Sequence, residues 1–262
     1  MSTATDAWTP PSWAKIAAPI AVGVLGLVAW SAFVASGSAP RMLPSPAAIA
    51  EEFVLRFGII GEAMAVTGTN ALIGLVVGSV LAIALAALAA AFRPVDGMVA
   101  PLLAALAVVP IVAITPILNT MFGASSQFGR QAVAGIAAFV PVFVNTLRGL
   151  RQTTPVQRDL FRATAATSGQ TFRHLTLPAA VPYIVTGIRI AASLAVISAL
   201  VAEYFGGPAD GIGTAIATYT KSGRAALAWA FVFGGILIGL VFFLATTLLE
   251  RLVARRVPSS SA

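Results

Sequence analysis

The chain has 262 residues, 58% hydrophobic and only 10% charged, with a mean hydropathy of +0.94 and a net charge of +7. A soluble domain carries about 25% charged residues, so the composition points to an integral membrane protein built as one all-α domain. There is no cysteine and one histidine, which removes disulfides and thiol catalysis and leaves little room for a metal site.

In chain order, residues 1–14 form a polar tail. Lys15 precedes an apolar span over 16–35, read as a retained anchor, with a signal peptide as the alternative. The segment 37–63 is too charged to cross, and Ile49, Phe53 and Phe57 share a face, so it is expected to lie along the membrane surface. Further spans are predicted over 70–92, about 98–122, 132–147, 181–205 and 227–249. Each approaches the length that a hydrocarbon core of about 30 Å requires. The expectation is six transmembrane helices in four parts: a tail (1–14), a first span with a surface helix (15–63), a core of five spans (64–250) and a basic tail (251–262).

One hydrophilic stretch interrupts this pattern, the loop 148–178 between the fourth and fifth spans. It carries Arg148, Arg151, Arg158, Arg162, Arg173, Asp159 and the single histidine, His174. Thr154-Pro155-Val156-Gln157 reads as a helix start, with threonine as cap, proline in the first turn and glutamine reaching back. Val156, Leu160, Phe161 and Ala165 recur at helical spacing, and Ser168-Gly169 is the expected stop, giving a helix over 155–167. A second short helix over 171–177 is expected to end before Pro178. The pattern alone serves a lipid headgroup surface or a protein partner equally well. His174 is read as a polar loop residue.

Lysine and arginine set the orientation. With the amino terminus inside, ten basic residues fall on inner segments and five on outer ones: Arg41, Arg56, Arg130, Lys221 and Arg224. The positive-inside rule then puts both termini and the 148–178 loop in the cytoplasm. The basic residues lie scattered between apolar spans, without the form of a nucleic-acid-binding module.

Within the spans, Pro110, Pro116 and Pro141 break backbone hydrogen bonds, and could bend helices around a pore or simply be tolerated. Asn70, Asn119 and Asn145 could line a path or join helices, and for Asn145 the helix-joining role is expected. Glu203 ends the fifth span, where it could gate a pore, meet an outer partner or rest as a solvated helix end. Arg189 is expected to snorkel to the inner headgroups. Gly74 and Gly78 have the spacing of a close helix contact.

The loop and the helix after it resemble the Glu-Ala-Ala loop of permease subunits in bacterial ATP-binding-cassette importers of the type I, binding-protein-dependent family. Aligned on Leu177-Pro178, the glutamate falls on Asp159, the alanines on Leu160 and Phe161, and the glycine on Ala165, so only the acidic position is kept. LPSP at 43–46, GIRIA at 187–191, AEYFGG at 202–207 and GIG at 211–213 are similar to the sulfonate, taurine and nitrate branch. DLFRATAAT at 159–167 and EYFGGP at 203–208 are similar to permeases for pyrimidine precursors of thiamine and for riboflavin.

This resemblance implies a six-helix permease in the bacterial inner membrane, two copies or homologues forming the pore. It also implies cytoplasmic ATPase subunits and an extracytoplasmic solute-binding protein as partners, alongside membrane lipid. Residues Arg158, Asp159, Leu160, Phe161, Arg162, Ala165 and Gly169 would then couple to the ATPase, and Pro110, Pro116, Asn119, Asn145 and Glu203 are pore or gating candidates. GGPADGIG, at 206–213, lacks the Gly-Lys-Ser/Thr of a phosphate loop, so ATP hydrolysis is expected on a separate subunit. No catalytic residues, cofactor or metal are expected, and no nucleic-acid partner. A secondary transporter driven by an ion gradient is the alternative, but the spans hold almost no internal acids and show no repeat. An intramembrane enzyme would need a nucleophile–base pair or metal ligands that are not evident.

Overall fold

The computed structural model describes residues 14–92, 94–95, 97–98, 101, 111–123 and 125–255. Within them the chain is helical, in the order α1 (Ala14–Ala35), α2 (Pro46–Leu55), α3 (Phe57–Ala91), α4 (Ile111–Phe122), α5 (Phe128–Leu150), α6 (Pro155–Ala163), α7 (Ser168–Thr171), a π-helical turn (Phe172–Thr176), α8 (Leu177–Tyr204), α9 (Ile212–Lys221) and α10 (Ala225–Ala254). Five of these stretches are long and apolar enough to cross a membrane: 17–35, 57–91, 128–150, 168–204 and 225–254. The expected third span, 98–122, is described mainly as α4, which is shorter than a crossing helix. Pro110 and both tails, 1–13 and 256–262, lie outside the described residues.

The core is made of small residues because the helices approach closely. Helix α5 lies at its centre, with α3 on one side and α8 on the other. On the α3 side, a Cβ added at Gly74 would sit 2.5 Å from the Ala134 Cβ, and one added at Gly78 would meet the backbone of Gly135. The glycine pair expected to mark a close contact therefore does so. On the α8 side, Gly149 meets Ala180 and Tyr183, while Gly187 meets Pro141 and Val142. Ala134, Ala138, Ala191, Ala192, Ala195 and Ala199 fill the seams and are fully buried. With lipid as solvent, apolar burial drives little association, so close van der Waals contact between backbones has to supply it.

Helix boundaries differ from the sequence expectation where tertiary contacts extend them. The second span begins at Phe57, not residue 70, and α3 runs 35 residues. At about 1.5 Å per residue that exceeds a hydrocarbon core of about 30 Å. The extra turns persist because Ile60 is fully buried, facing Gly234 of α10, while Glu62 stays exposed. The surface segment therefore shortens to α2, whose Ile49–Phe53 face does not lie open to lipid. Phe53 stacks edge-on against Phe233 of α10 with ring centroids 5.0 Å apart. The remaining spans also lengthen, to 128–150, 177–204 and 225–254. Helix α1 stands apart, with none of its span buried, and meets the bundle through Trp30 against Trp229 at 5.9 Å.

Candidate functional site at the two ends of the bundle

The polar loop builds its own helix from local sequence. Thr154 caps α6: its Oγ1 accepts from the Gln157 N–H at 3.3 Å, and Gln157 Oε1 accepts from the Thr154 N–H at 3.0 Å. Pro155 fills the first turn, where its missing N–H costs nothing. The stop is not at Gly169. Helix α6 ends at Ala163, and Ala165 takes φ +55°, the one positive φ outside glycine among the described residues. The Ala166 N–H donates to Phe161 O at 3.0 Å and the Ala165 N–H to Arg162 O at 2.9 Å, which is a Schellman closure. The residue aligned with the family's glycine thus adopts the backbone a glycine would take, at the cost of a Cβ clash.

Gly169 instead lies inside α7, which opens with a second reciprocal cap. Gln170 N donates to Thr167 Oγ1 at 3.3 Å, and Thr167 N donates to Gln170 Oε1 at 2.8 Å. The Thr-x-x-Gln spacing that marks α6 recurs here and could have located it. No break precedes Pro178. The π-helical turn runs into α8, whose first turn accepts proline, so 168–204 is one continuous helical stretch.

The apolar side chains of α6 do not share one environment. Val156 and Leu160 are 78% and 63% exposed, whereas Phe161 is half-buried. Arg162 pairs with Asp159 at 3.1 Å, both exposed, a contact that contributes little to stability. Arg158 Nε donates to the buried Thr153 Oγ1 at 2.9 Å, tying α6 to the segment that leads into it. His174 is exposed in the π-helical turn.

The far end of the bundle holds a buried charge cluster. Arg130, expected in an outer loop, lies in the first turn of α5 and is fully buried. It donates to Asp210 Oδ1 at 2.7 Å, Gln127 Oε1 at 3.0 Å, Thr214 Oγ1 at 3.2 Å and the Pro208 carbonyl. Glu203 is not a solvated helix end. It is fully buried, accepts from Thr67 Oγ1 at 2.8 Å and the Gly213 N–H at 3.0 Å, and lies 3.9 Å from Arg130 Nη1. Thr67 also accepts from the Ile212 N–H at 3.0 Å. Gly211, at the N-cap of α9, has no side chain to cap with, so Thr67 of α3 and Glu203 of α8 satisfy the first N–H groups. A Cβ on Gly211 would strike the Glu203 carboxylate, and one on Gly213 would strike the backbone of α8. The GIG stretch is therefore shaped by burying this glutamate.

Asn70 extends the cluster, donating to Gln127 Oε1 at 2.9 Å and accepting from Gln131 Nε2 at 3.1 Å. It joins α3 to α5. Asn145 does not join helices by hydrogen bonding, since its Nδ2 donates to Pro141 O of its own helix at 2.8 Å. Arg189 pairs with Glu250 of α10 at 3.0 Å, and Thr186 donates to the same carboxylate at 2.8 Å. Asn119 is buried between Gly129 and Gly206, and its amide has no hydrogen-bond partner among the described residues. Pro116 is exposed within α4. Arg130, Asp210, Gln127 and Thr67 were not singled out from sequence. The available signal was EYFGGP-x-x-GIG, whose glycines mark backbone held close to something bulky or charged.

Residues 74–258 match the family described as binding-protein-dependent transport system inner membrane component. The chain is 36% identical over 185 residues to the formylaminopyrimidine transport permease protein ThiX of Halalkalibacterium halodurans, covering 69% of this chain and 72% of the relative. It is 30% identical over 246 residues to the riboflavin transport system permease protein RibX of Chloroflexus aurantiacus, covering 93% and 91%. Its fold is similar to a chain of the inward-facing MetNI methionine ABC transporter, with a TM-score of 0.64 at 17% identity, over 76% of this chain and 97% of that one. The family match, the curated relatives and the type I fold agree: this chain belongs to the binding-protein-dependent inner membrane components and is a permease of an ATP-binding-cassette importer.

Proposed function

We propose that this chain is one of two permease subunits forming the pore of an importer for a small organic solute of the pyrimidine or flavin class. The solute is delivered by an extracytoplasmic binding protein, and ATP is hydrolysed on a separate cytoplasmic subunit. The substrate class rests on similarity to ThiX and RibX, whose names give formylaminopyrimidine and riboflavin. Both termini and the 148–178 loop are cytoplasmic in this reading, from the ten-to-five distribution of basic residues.

The observation that carries the coupling role is the build of α6. It is capped at both ends by its own sequence, and it hangs between α5 and α8, which pack against each other. It presents Val156 and Leu160 outward, an apolar pair that a groove on an ATPase would cover. A rigid, short element joined to two packed spans passes displacement to both. Asp159 and Arg162 form the polar rim of that contact, and Phe161 supports the helix from behind. At the far end, the Arg130–Glu203 cluster holds α3, α5, α8 and α9 together as the outer closure of the pore.

The test is reconstitution with the ATPase and binding protein. Leu160→Ala at normal abundance should lose substrate-stimulated ATP hydrolysis and uptake. Normal transport by Leu160→Ala and Val156→Ala together would remove α6 as the coupling element. Uptake of neither a pyrimidine nor a flavin, with sulfonate taken up instead, would overturn the substrate class.

A further inference from the structure

The loop end contains a cavity of about 410 Å³ whose two walls differ in chemistry. One wall is Ala87 and Ala90 near the end of α3, with Leu150 at the end of α5. The other is Arg151, Arg158 and Thr153 at the start of the loop, and Phe172 closes the side. Thr153 is buried, and its hydroxyl takes the Arg158 Nε–H at 2.9 Å. That bond holds the guanidinium, while Nη1 and Nη2 have no partner among the described residues.

We infer that this cavity binds one anionic phospholipid, its phosphate on Arg158, with Arg151 in the same lining, and the start of an acyl chain along Ala87 and Ala90. A guanidinium fork with two open donors matches a phosphodiester, whereas a compact ammonium would not give paired bonds. The alanine wall belongs to the last turns of α3, a helix long and apolar enough to cross a membrane, so the apolar part of the ligand has a continuous path along it. A free phosphate would use the cationic wall and leave the apolar one uncovered. The cavity touches both the end of α3 and the residue anchoring α6, so its occupant would bear on how the loop is held.

The inference rests on the loop lying at the membrane surface, as in the proposed function, but its test needs no ATPase. Native mass spectrometry of the detergent-purified chain, with phosphatidylglycerol and phosphatidylcholine of equal acyl length, reads retention directly. One phosphatidylglycerol should be retained over phosphatidylcholine, and Arg158→Gln should weaken it about fivefold, the scale of one basic residue at a membrane surface. Ala90→Phe, which fills the apolar wall and leaves both arginines, should also weaken it. Arg173→Gln, a loop arginine outside the cavity, should not. Equal retention of the two lipids, or loss by Arg173→Gln equal to that by Arg158→Gln, would overturn the site. Displacement of the lipid by equimolar sodium phosphate would show a free-anion site and overturn the lipid assignment. Intact lipid retention in Leu160→Ala alongside lost coupling would separate this inference from the proposed function.

Discussion

The two ends of the bundle use similar residues in opposite ways. In the loop, the side-chain bonds of Arg158, Arg162, Thr154 and Thr167 span at most five residues of sequence. At the far end, apart from the Arg130–Gln127 bond, the bonds of Thr67, Asn70, Gln127 and Arg130 within the cluster reach across 57 to 145 residues. Loop charges are exposed, while Arg130 and Glu203 are fully buried. The loop helix can therefore shift as a unit without losing its own bonds. The far end cannot move without separating helices that share buried charges, and an uncompensated buried charge is expensive. Under the proposed function, the first end acts as a lever and the second as a clamp.

The largest expected effect tests the clamp. Arg130→Ala leaves Glu203 buried without its cation and should destabilise the chain by about 3–5 kcal/mol, seen as a lower aggregation temperature in detergent. The double variant Arg130→Met with Glu203→Gln should recover much of that loss, since the charge left behind is the main cost. An unchanged aggregation temperature for Arg130→Ala would mean that the far end is not clamped.

Leu160→Ala tests the lever. Removing an exposed leucine leaves folding nearly unchanged, but it should weaken ATPase binding by about 1.5–3 kcal/mol if the side chain is buried on docking. Binding of the purified ATPase to reconstituted permease measures this. Phe161→Ala should instead lower the stability of the loop itself, because its ring is already half-covered by the chain. A larger loss of ATPase affinity for Phe161→Ala than for Leu160→Ala, with loop stability unchanged, would reverse the assignment of the docking face.

Smaller effects probe how local the loop is. Thr154→Ala should cost about 1 kcal/mol of α6 stability through the lost cap, visible as faster amide exchange over 155–163 with no change at the far end. Slower exchange is expected for Ala165→Gly, which relieves the left-handed strain and should stabilise α6 by up to about 1 kcal/mol. If either change spreads to Ile212 or Gly213, the two ends are not mechanically separate.

What could be read in the sequence followed from short-range rules. Apolar length located five of the six expected spans, the Thr154–Gln157 box placed the start of α6, and the Gly74–Gly78 spacing marked a true helix contact, because each is decided within a short window. Tertiary structure decided the rest. Arg130 reads as a loop cation and Glu203 as a helix end until α3, α5, α8 and α9 converge and bury both. Helix α3 starts early because Ile60 and Thr67 find partners in α10 and α8 that no local window contains. The stop of α6 before Ala165, not at Gly169, is by contrast a local matter that the sequence reading missed, set by closing hydrogen bonds three and five residues apart. Propensity favours a glycine for the left-handed position. The chain takes it with alanine, because two backbone bonds and the run into the second cap at Thr167 outweigh one Cβ contact.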